Sequence, residues 1–329
     1  MRTGPARAAA LLVACALAGC NGGAKGAPSP REHVASSAAS ASSAAEPRAG
    51  GAFKRAVFVA DERNFSYPTS PVGRMHVVAA VPFTQGGAKY PVLIALHGRG
   101  ESFKGPERGA RGFIDDYGLL RASGRLRSPP LDARDFQGFV ESTRLRRINE
   151  ALSTTPYEGL IVACPYTPDL LAGDRSLEGA RPFATFLIDE LLPRIRRELP
   201  ANDAATATGI DGVSLGGRVA LLVAFERPEA FGAVGAEQAA INLAEVQPIV
   251  ARARRALEKN PRLYIRLLTS HDDYFLAENR ALSAALHSAG VRHDLVVVPG
   301  PHDYEFNRGP GVHEMLLLHD RVLRGRRAL

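Results

Sequence analysis

Side-chain alternation along two early, largely apolar stretches of this chain, 56–60 and 75–82, is read as that of strands. Pro68 and Pro71 mark the loop between them, so the two stretches predict an antiparallel pair. From residue 90 onward the pattern changes to short, nearly continuous apolar runs at 90–96, 160–163, 205–210, 230–236, 263–268 and 294–298. Such runs fit strands covered on both faces. Between them, helical periodicity occupies 181–199, 213–225, 243–259, 276–289 and 312–323. Alternating strand and helix predict an α/β fold, with a mostly parallel central sheet and helices on both faces. Pro193 predicts a kink or break inside 181–199. Residues 100–156, rich in Arg, Gly and Ser, carry no clear period, and part of that region is expected to cover the edge of the site.

The run at 205–210 leads into Gly212-Val213-Ser214-Leu215-Gly216-Gly217, and small and apolar residues without proline follow as far as Phe225. A serine between two glycines, after a strand and before a helix, sits on a sharp turn that has no room for larger neighbours. Its hydroxyl is thereby exposed at the end of the sheet. The Leu215 amide opens the next helix, where unpaired N–H groups and the helix dipole favour a developing oxyanion. The implied chemistry is attack by Ser214 on a carbonyl carbon.

A serine hydroxyl is a weak nucleophile at neutral pH and needs a base and an orienting acid. In this arrangement they follow in the order Ser, Asp, His, on loops after later strands. The loop after 263–268 offers Asp272 and Asp273, and the loop after 294–298 offers His302. Asp273 is assigned as the acid, with Asp272 as its rival and helix capping as the structural role open to either. His302 is the base; Asp303 braces its loop, and His271, His293, His313 and His319 are read as surface or structural histidines. The loop after 90–96 reads His97-Gly98-Arg99-Gly100, and by analogy its Arg99 amide supplies the second oxyanion donor. His97 is expected to support that loop by a hydrogen bond, and the Arg99 side chain is free in sequence terms to meet an acidic substrate group.

Taken together, these residues resemble the α/β-hydrolase superfamily, and within it the esterase D-like and enterochelin esterase-like branch, over roughly residues 72–323. The resemblance rests on Phe186-Leu187-Ile188-Asp189-Glu190-Leu191-Leu192-Pro193 ahead of the serine turn and on the turn itself. It rests further on Asp273, any residue, Phe275, Leu276 and on Pro299-Gly300-any-His302-Asp303-aromatic. Ser270-His271 departs from the Gly-Thr pair common there. Members include feruloyl and acetylxylan esterases, S-formylglutathione hydrolase, siderophore-ester hydrolases and mycolyl transferases, all acting on acyl carbonyls. The resemblance implies no metal or organic cofactor, and it does not carry over a substrate.

The N-terminus carries Arg2 and Arg7, an apolar stretch at 8–17, then Leu17-Ala18-Gly19-Cys20. This looks like a bacterial lipoprotein signal, too short to span a bilayer, with Cys20 left to carry lipid. Asn21 is not the aspartate that commonly retains such proteins at the inner membrane, so the expected location is the cell envelope, at the outer membrane. A plain secretory signal is the alternative. Residues 21–51 are Ala, Ser, Gly and Pro with almost no large apolar side chain and are read as a tether. Residues 52–329, about 280 in number, suit one domain.

Of three cysteines, Cys15 leaves with the signal and Cys20 is the lipid site, so Cys164 remains, in an apolar run that reads as buried and structural. The net charge of +7 raises nucleic acid as a partner, but the arginines lie in small clusters interspersed with Glu, and no nucleic-acid module is recognisable. The expected activity is hydrolysis of a small-molecule or glycan-linked acyl ester through an acyl-enzyme. Transfer of the acyl group to an envelope glycan or lipid is the alternative, and a noncatalytic binding lipoprotein on the same scaffold is a second.

Overall fold

Strands β1 (Asp61–Tyr67) and β2 (Met75–Val81) pair antiparallel, from Asp61 opposite Val81 to Tyr67 opposite Met75, across the loop that holds Pro68 and Pro71. The structure, a computed structural model, describes residues 60–329 apart from 84, 85 and 174. The expected signal, Cys20, the tether and residues 56–59 of the first expected strand lie outside the described residues. The first strand occupies 61–67 because pairing closes directly onto the loop. Its alternation is masked in the sequence because only Phe65 is buried along it.

Six further strands follow: β3 (Val92–Leu96), β4 (Ile161–Pro165), β5 (Thr208–Gly212), β6 (Ala233–Glu237), β7 (Tyr264–Asp272) and β8 (Asp294–Pro301). They join into one eight-stranded sheet in the order β1-β2-β4-β3-β5-β6-β7-β8. Pairing is parallel from β4 to β8, while β2 runs antiparallel to both its neighbours. This is the arrangement of an α/β-hydrolase fold. The fifth strand starts later than the apolar run at 205–210 suggests. Residues Ala205–Ala207 form a tight helical turn, and parallel pairing with β3 carries the strand on to Gly212 opposite Leu96.

The central strands are buried on both faces, which explains why they read as continuous apolar runs, whereas β8, expected to be covered on both faces, is a partly exposed edge strand. Along β3, Val92, Ile94 and Leu96 point into one core, with Phe183, Phe186, Leu191 and Val219. Leu93 and Ala95 point into the other, with Phe113, Leu126, Ile148 and Met315. Residues 100–156 supply much of that second core through helices Leu119–Leu126 and Ser142–Thr154. The helix expected at 181–199 is interrupted by a wide π-type turn at Phe186–Leu191, one turn ahead of Pro193. In a regular α-helix the proline ring would collide with the carbonyl four residues back, and the wide turn relieves that contact.

Cys164 is buried against the second core, and burial pushes its thiol far above the ordinary range. Several arginines of the clusters are paired with acids, as in Arg194 with Glu198 and Arg324 with Asp320. Two arginines do more: Arg144 and the buried Arg266 both hold Glu314, itself 1% exposed. A buried carboxylate without partners is costly, so this set is held together by mutual compensation. Among the described residues, no helix is long and apolar enough to cross a membrane.

Candidate active site

Three consecutive features of the turn after β5 force its geometry. Ser214 has φ 58° and ψ −115°, a left-handed conformation that a non-glycine residue adopts only when its surroundings impose it. A Cβ on Gly216 would lie 2.0 Å from the Leu96 carbonyl oxygen, and one on Gly212 would lie 2.6 Å from the same atom. Only hydrogen fits at either place. The Ser214 amide donates to the Glu237 carbonyl at 2.8 Å, and the Ala240 amide donates to the Ser214 carbonyl at 3.0 Å, which ties the strained residue to the end of β6. Behind it the helix Leu215–Glu226 is buried from Leu215 through Phe225. Its one buried charge, Arg218, is held by Glu245 at 2.5 Å.

His302 follows directly on β8 and Asp273 directly on β7, so adjacent strand ends deliver both to the same side as Ser214. The three side chains form a hydrogen-bonded series: Ser214 Oγ to His302 Nε2 at 3.0 Å, and His302 Nδ1 to Asp273 Oδ1 at 2.6 Å. With the carboxylate accepting from Nδ1–H, Nε2 presents its lone pair to the serine hydroxyl. The Asp273 side chain is fully buried and further oriented by the Thr269 hydroxyl at 2.6 Å and the Phe275 amide at 3.0 Å. Asp272 is exposed. The register shift between Ser270 and Asp272 in the β7–β8 ladder turns the chain there, so Asp273 faces inward and its neighbour does not.

Ser270 and His271, the two residues that depart from the resembled pattern, split between inside and outside. Ser270 is buried and accepts from Gln238 Nε2 at 2.7 Å, and the same amide donates to the Pro301 carbonyl at 2.9 Å. Gln238 thus links the acid loop to the histidine loop. His271 is exposed. Asp303 caps the short turn after His302, accepting from the amides of Glu305 and Phe306. The buried His313 and His319 bond to the Gly309 carbonyl and to Asp211, and His293 bonds to Ser283. None of these four other histidines takes part in the series around Ser214.

The Leu215 amide is the first of its helix, and the Arg99 amide is the first of the short helix Arg99–Ser102. The opening amides of a helix have no partner within it. The loop carrying Arg99 lies against the serine turn: the Val213 amide donates to the Leu96 carbonyl at 3.1 Å, and a Cβ on Gly98 would be 3.7 Å from the Val213 carbonyl oxygen. His97 holds this loop from below. Its Nδ1–H donates to the Gly98 carbonyl at 2.9 Å and its Nε2 accepts from the Thr167 amide at 2.9 Å. Burial lowers its pKa to about 4, so it stays the neutral brace that both bonds require. The Arg99 side chain is engaged by Asp169, with Nε and Nη2 each at 3.0 Å, and its guanidinium lies over Phe103. That ion pair meets the guanidinium's charge from within the protein, while the side chain stays 46% exposed.

Aromatic rings frame the imidazole. Tyr274 stacks on it at 5.2 Å and is 78% exposed, and Phe275 meets it edge-on at 5.5 Å. The sequence assigned no role to Thr269, Gln238, Glu101 or Tyr117, and it met Tyr304 only as the aromatic that ends the histidine-loop pattern. Their contacts join segments that meet only in the fold.

Comparison with known proteins bears on the same region. Residues 171–308, which include the serine turn, the acid loop and the histidine loop, match the family model described as "Putative esterase". No curated protein sequence matches the chain. Among solved structures, a ferulic acid esterase is similar at TM-score 0.56 and 17% identity, covering 79% of this chain and 97% of its own. The S-formylglutathione hydrolase of Staphylococcus aureus is similar at TM-score 0.55 and 12% identity, covering 80% of this chain and 98% of its own. The enterobactin esterase of Shigella flexneri is similar at TM-score 0.53 and 17% identity, and 79% of this chain covers 60% of that one. The sheet order and the solved structures give this chain the α/β-hydrolase fold, and the segment matched by the esterase model supports an ester hydrolase.

Proposed function

We propose that the protein is a serine hydrolase of the bacterial cell envelope that cleaves carboxylic esters through an acyl-enzyme. The observation that carries this reading is the unbroken series from Ser214 through His302 to Asp273, at 3.0 and 2.6 Å. As Ser214 Oγ bonds to the ester carbonyl carbon, its proton passes to His302 Nε2, and Asp273 stabilises the imidazolium. The carbonyl oxygen becomes an oxyanion held by the amides of Leu215 and Arg99. Collapse breaks the bond to the alcohol, which leaves with the proton from His302. Water then repeats the steps on the acyl-enzyme, releasing the acid and restoring Ser214.

The substrate is a small-molecule or glycan-linked acyl ester. Support comes from neighbours named for ferulic acid and enterobactin, and from a feruloyl esterase module of Clostridium thermocellum complexed with sinapinate, similar at TM-score 0.55 and 14% identity, covering 78% of this chain and 87% of its own. Incubating the purified chain with a fluorophosphonate and sequencing the modified peptide tests the mechanism. The adduct is expected on Ser214; an adduct on any other residue overturns the assignment.

The envelope location rests on Leu17-Ala18-Gly19-Cys20 after an apolar stretch, with residues 21–51 as the tether between a lipid on Cys20 and a single hydrolase domain. Labelled palmitate fed to expressing bacteria is expected to mark the protein and to be lost in Cys20→Ser, which moves to the soluble fraction. Equal labelling of both forms excludes the anchor.

A further inference from the structure

Glu101 is 1% exposed, yet it lies two residues beyond Arg99 and takes no part in the chemistry described above. Its two carboxylate oxygens serve two different loops. Oε2 accepts from the Tyr117 hydroxyl at 2.5 Å, and the Tyr117 oxygen in turn accepts from the Gly98 amide at 3.1 Å. Oε1 accepts from the Tyr304 hydroxyl at 2.6 Å, two residues beyond His302. Lys104 Nζ stands 3.7 Å from Oε1 and 2.6 Å from Asp116, so one ammonium offsets part of the charge of both carboxylates, and the two tyrosine hydroxyls solvate that of Glu101. The carboxylate is also clamped sterically. A Cβ on Gly112 would come within 2.6 Å of Glu101 Cγ, and one on Gly100 within 3.1 Å of the Tyr304 hydroxyl.

An apolar contact would hold these loops together at less desolvation cost, but it would not set their spacing. Hydrogen bonds to a charged carboxylate are short and directional, so they fix distance as well as proximity. The tie ends at the peptide immediately before the Arg99 amide and on the loop of the imidazole. Both tyrosines remain protonated donors, since burial and the adjacent carboxylate push their phenols upward.

We infer that Glu101 is a positioning residue, whose carboxylate sets the separation between the Arg99 oxyanion donor and the His302 imidazole by bridging Tyr117 and Tyr304. This rests on the reading of Ser214, His302 and the Arg99 amide given under the proposed function. A misplacement of about 1 Å between reacting groups costs up to about 100-fold in rate.

The test uses the full chain with Tyr304→Phe, which removes one oxygen and keeps the ring, together with Glu101→Gln and the double variant. On a nitrophenyl ester, kcat is expected to fall about 10- to 100-fold in each single variant, with KM within about two-fold of the parent. The double variant is expected to be no slower than Glu101→Gln alone, because both changes break one tie. Inactivation by a fluorophosphonate slows in parallel. A thermal midpoint that drops in Tyr304→Phe while kcat stays at the parent value overturns the inference, since a purely structural tie behaves that way. If Glu101→Gln does not fold, Tyr304→Phe decides alone. The underlying reading fails separately: it falls if Ser214→Ala keeps turnover, whereas an inactive Ser214→Ala beside a fully active Tyr304→Phe removes only the role of Glu101.

Discussion

Ser214→Ala is expected to lower kcat on a simple nitrophenyl ester by about 10⁶-fold while the protein stays folded. The size of the effect follows from the site. Ser214 Oγ is the atom within hydrogen-bond reach of His302 Nε2, at 3.0 Å, so removing it leaves the base with no hydroxyl to activate. The substitution isolates that atom cleanly. Alanine keeps the Cβ, so the strained φ of 58° is common to both forms, and so are the backbone bonds to Glu237 and Ala240. What the fold loses is one hydrogen bond at a half-buried position, about 1 kcal/mol or less. Turnover measured beside thermal unfolding checks both halves. Retention of more than about a thousandth of the parent rate, beyond what binding and the oxyanion donors sustain, would move the nucleophile elsewhere.

Asp273→Asn and Asp272→Asn should differ by about four orders of magnitude in kcat, although the two residues are neighbours. An asparagine at 273 presents an amide to Nδ1 in place of a carboxylate. It then stabilises the tautomer with its proton on Nε2, which cannot accept from Ser214, and it no longer stabilises the imidazolium. The Thr269 hydroxyl, 2.6 Å from Oδ2, reinforces the original orientation of the carboxylate and leaves little freedom to compensate. Asp272 is exposed on the far side of the register shift and faces no member of the series. Its substitution should leave kcat within about two-fold, as surface changes away from a site do. Steady-state rates of the two variants decide the matter, and equal losses would mean that the acid lies elsewhere.

Much of this site could be read from residues alone, for a local reason. The demand for glycine at 212 is partly local, since a Cβ there would lie 2.6 Å from the Gly216 carbonyl carbon; at 216 the obstacle is the Leu96 carbonyl of β3, yet the resulting pattern falls within five residues around Ser214 and can be read there. The apolar runs of β3 to β7 are likewise local records of burial on both faces. The acid was legible only to within two candidates. Choosing between Asp272 and Asp273 depends on a bulge in the β7–β8 ladder, a property of two paired strands that leaves no mark on either one. Polar β1 and the helices of residues 100–156 were hard to place for a related reason. The helices pack on a sheet face tens of residues away, and β1, although β2 is only a short loop away, buries Phe65 alone, so their own periodicity is weak.

The supporting shell was not legible. Glu101 and Tyr117 are ordinary residues by type and spacing, Tyr304 is legible only as the aromatic of its loop pattern, and the bonds among them span 16 and 203 positions of the chain. The linkage through Gln238 and the pairing of Arg99 with Asp169 arise in the same way, from loops that meet only when the strands align. The chain by itself determined the alternation of strands and helices, the turn at Ser214 and the order in which acid and base follow it, because periodicity and steric exclusion act over a few residues. Tertiary structure alone decided which aspartate faces the imidazole, what holds the Arg99 side chain and how the loops are spaced, because those depend on distances between segments that only sheet register sets.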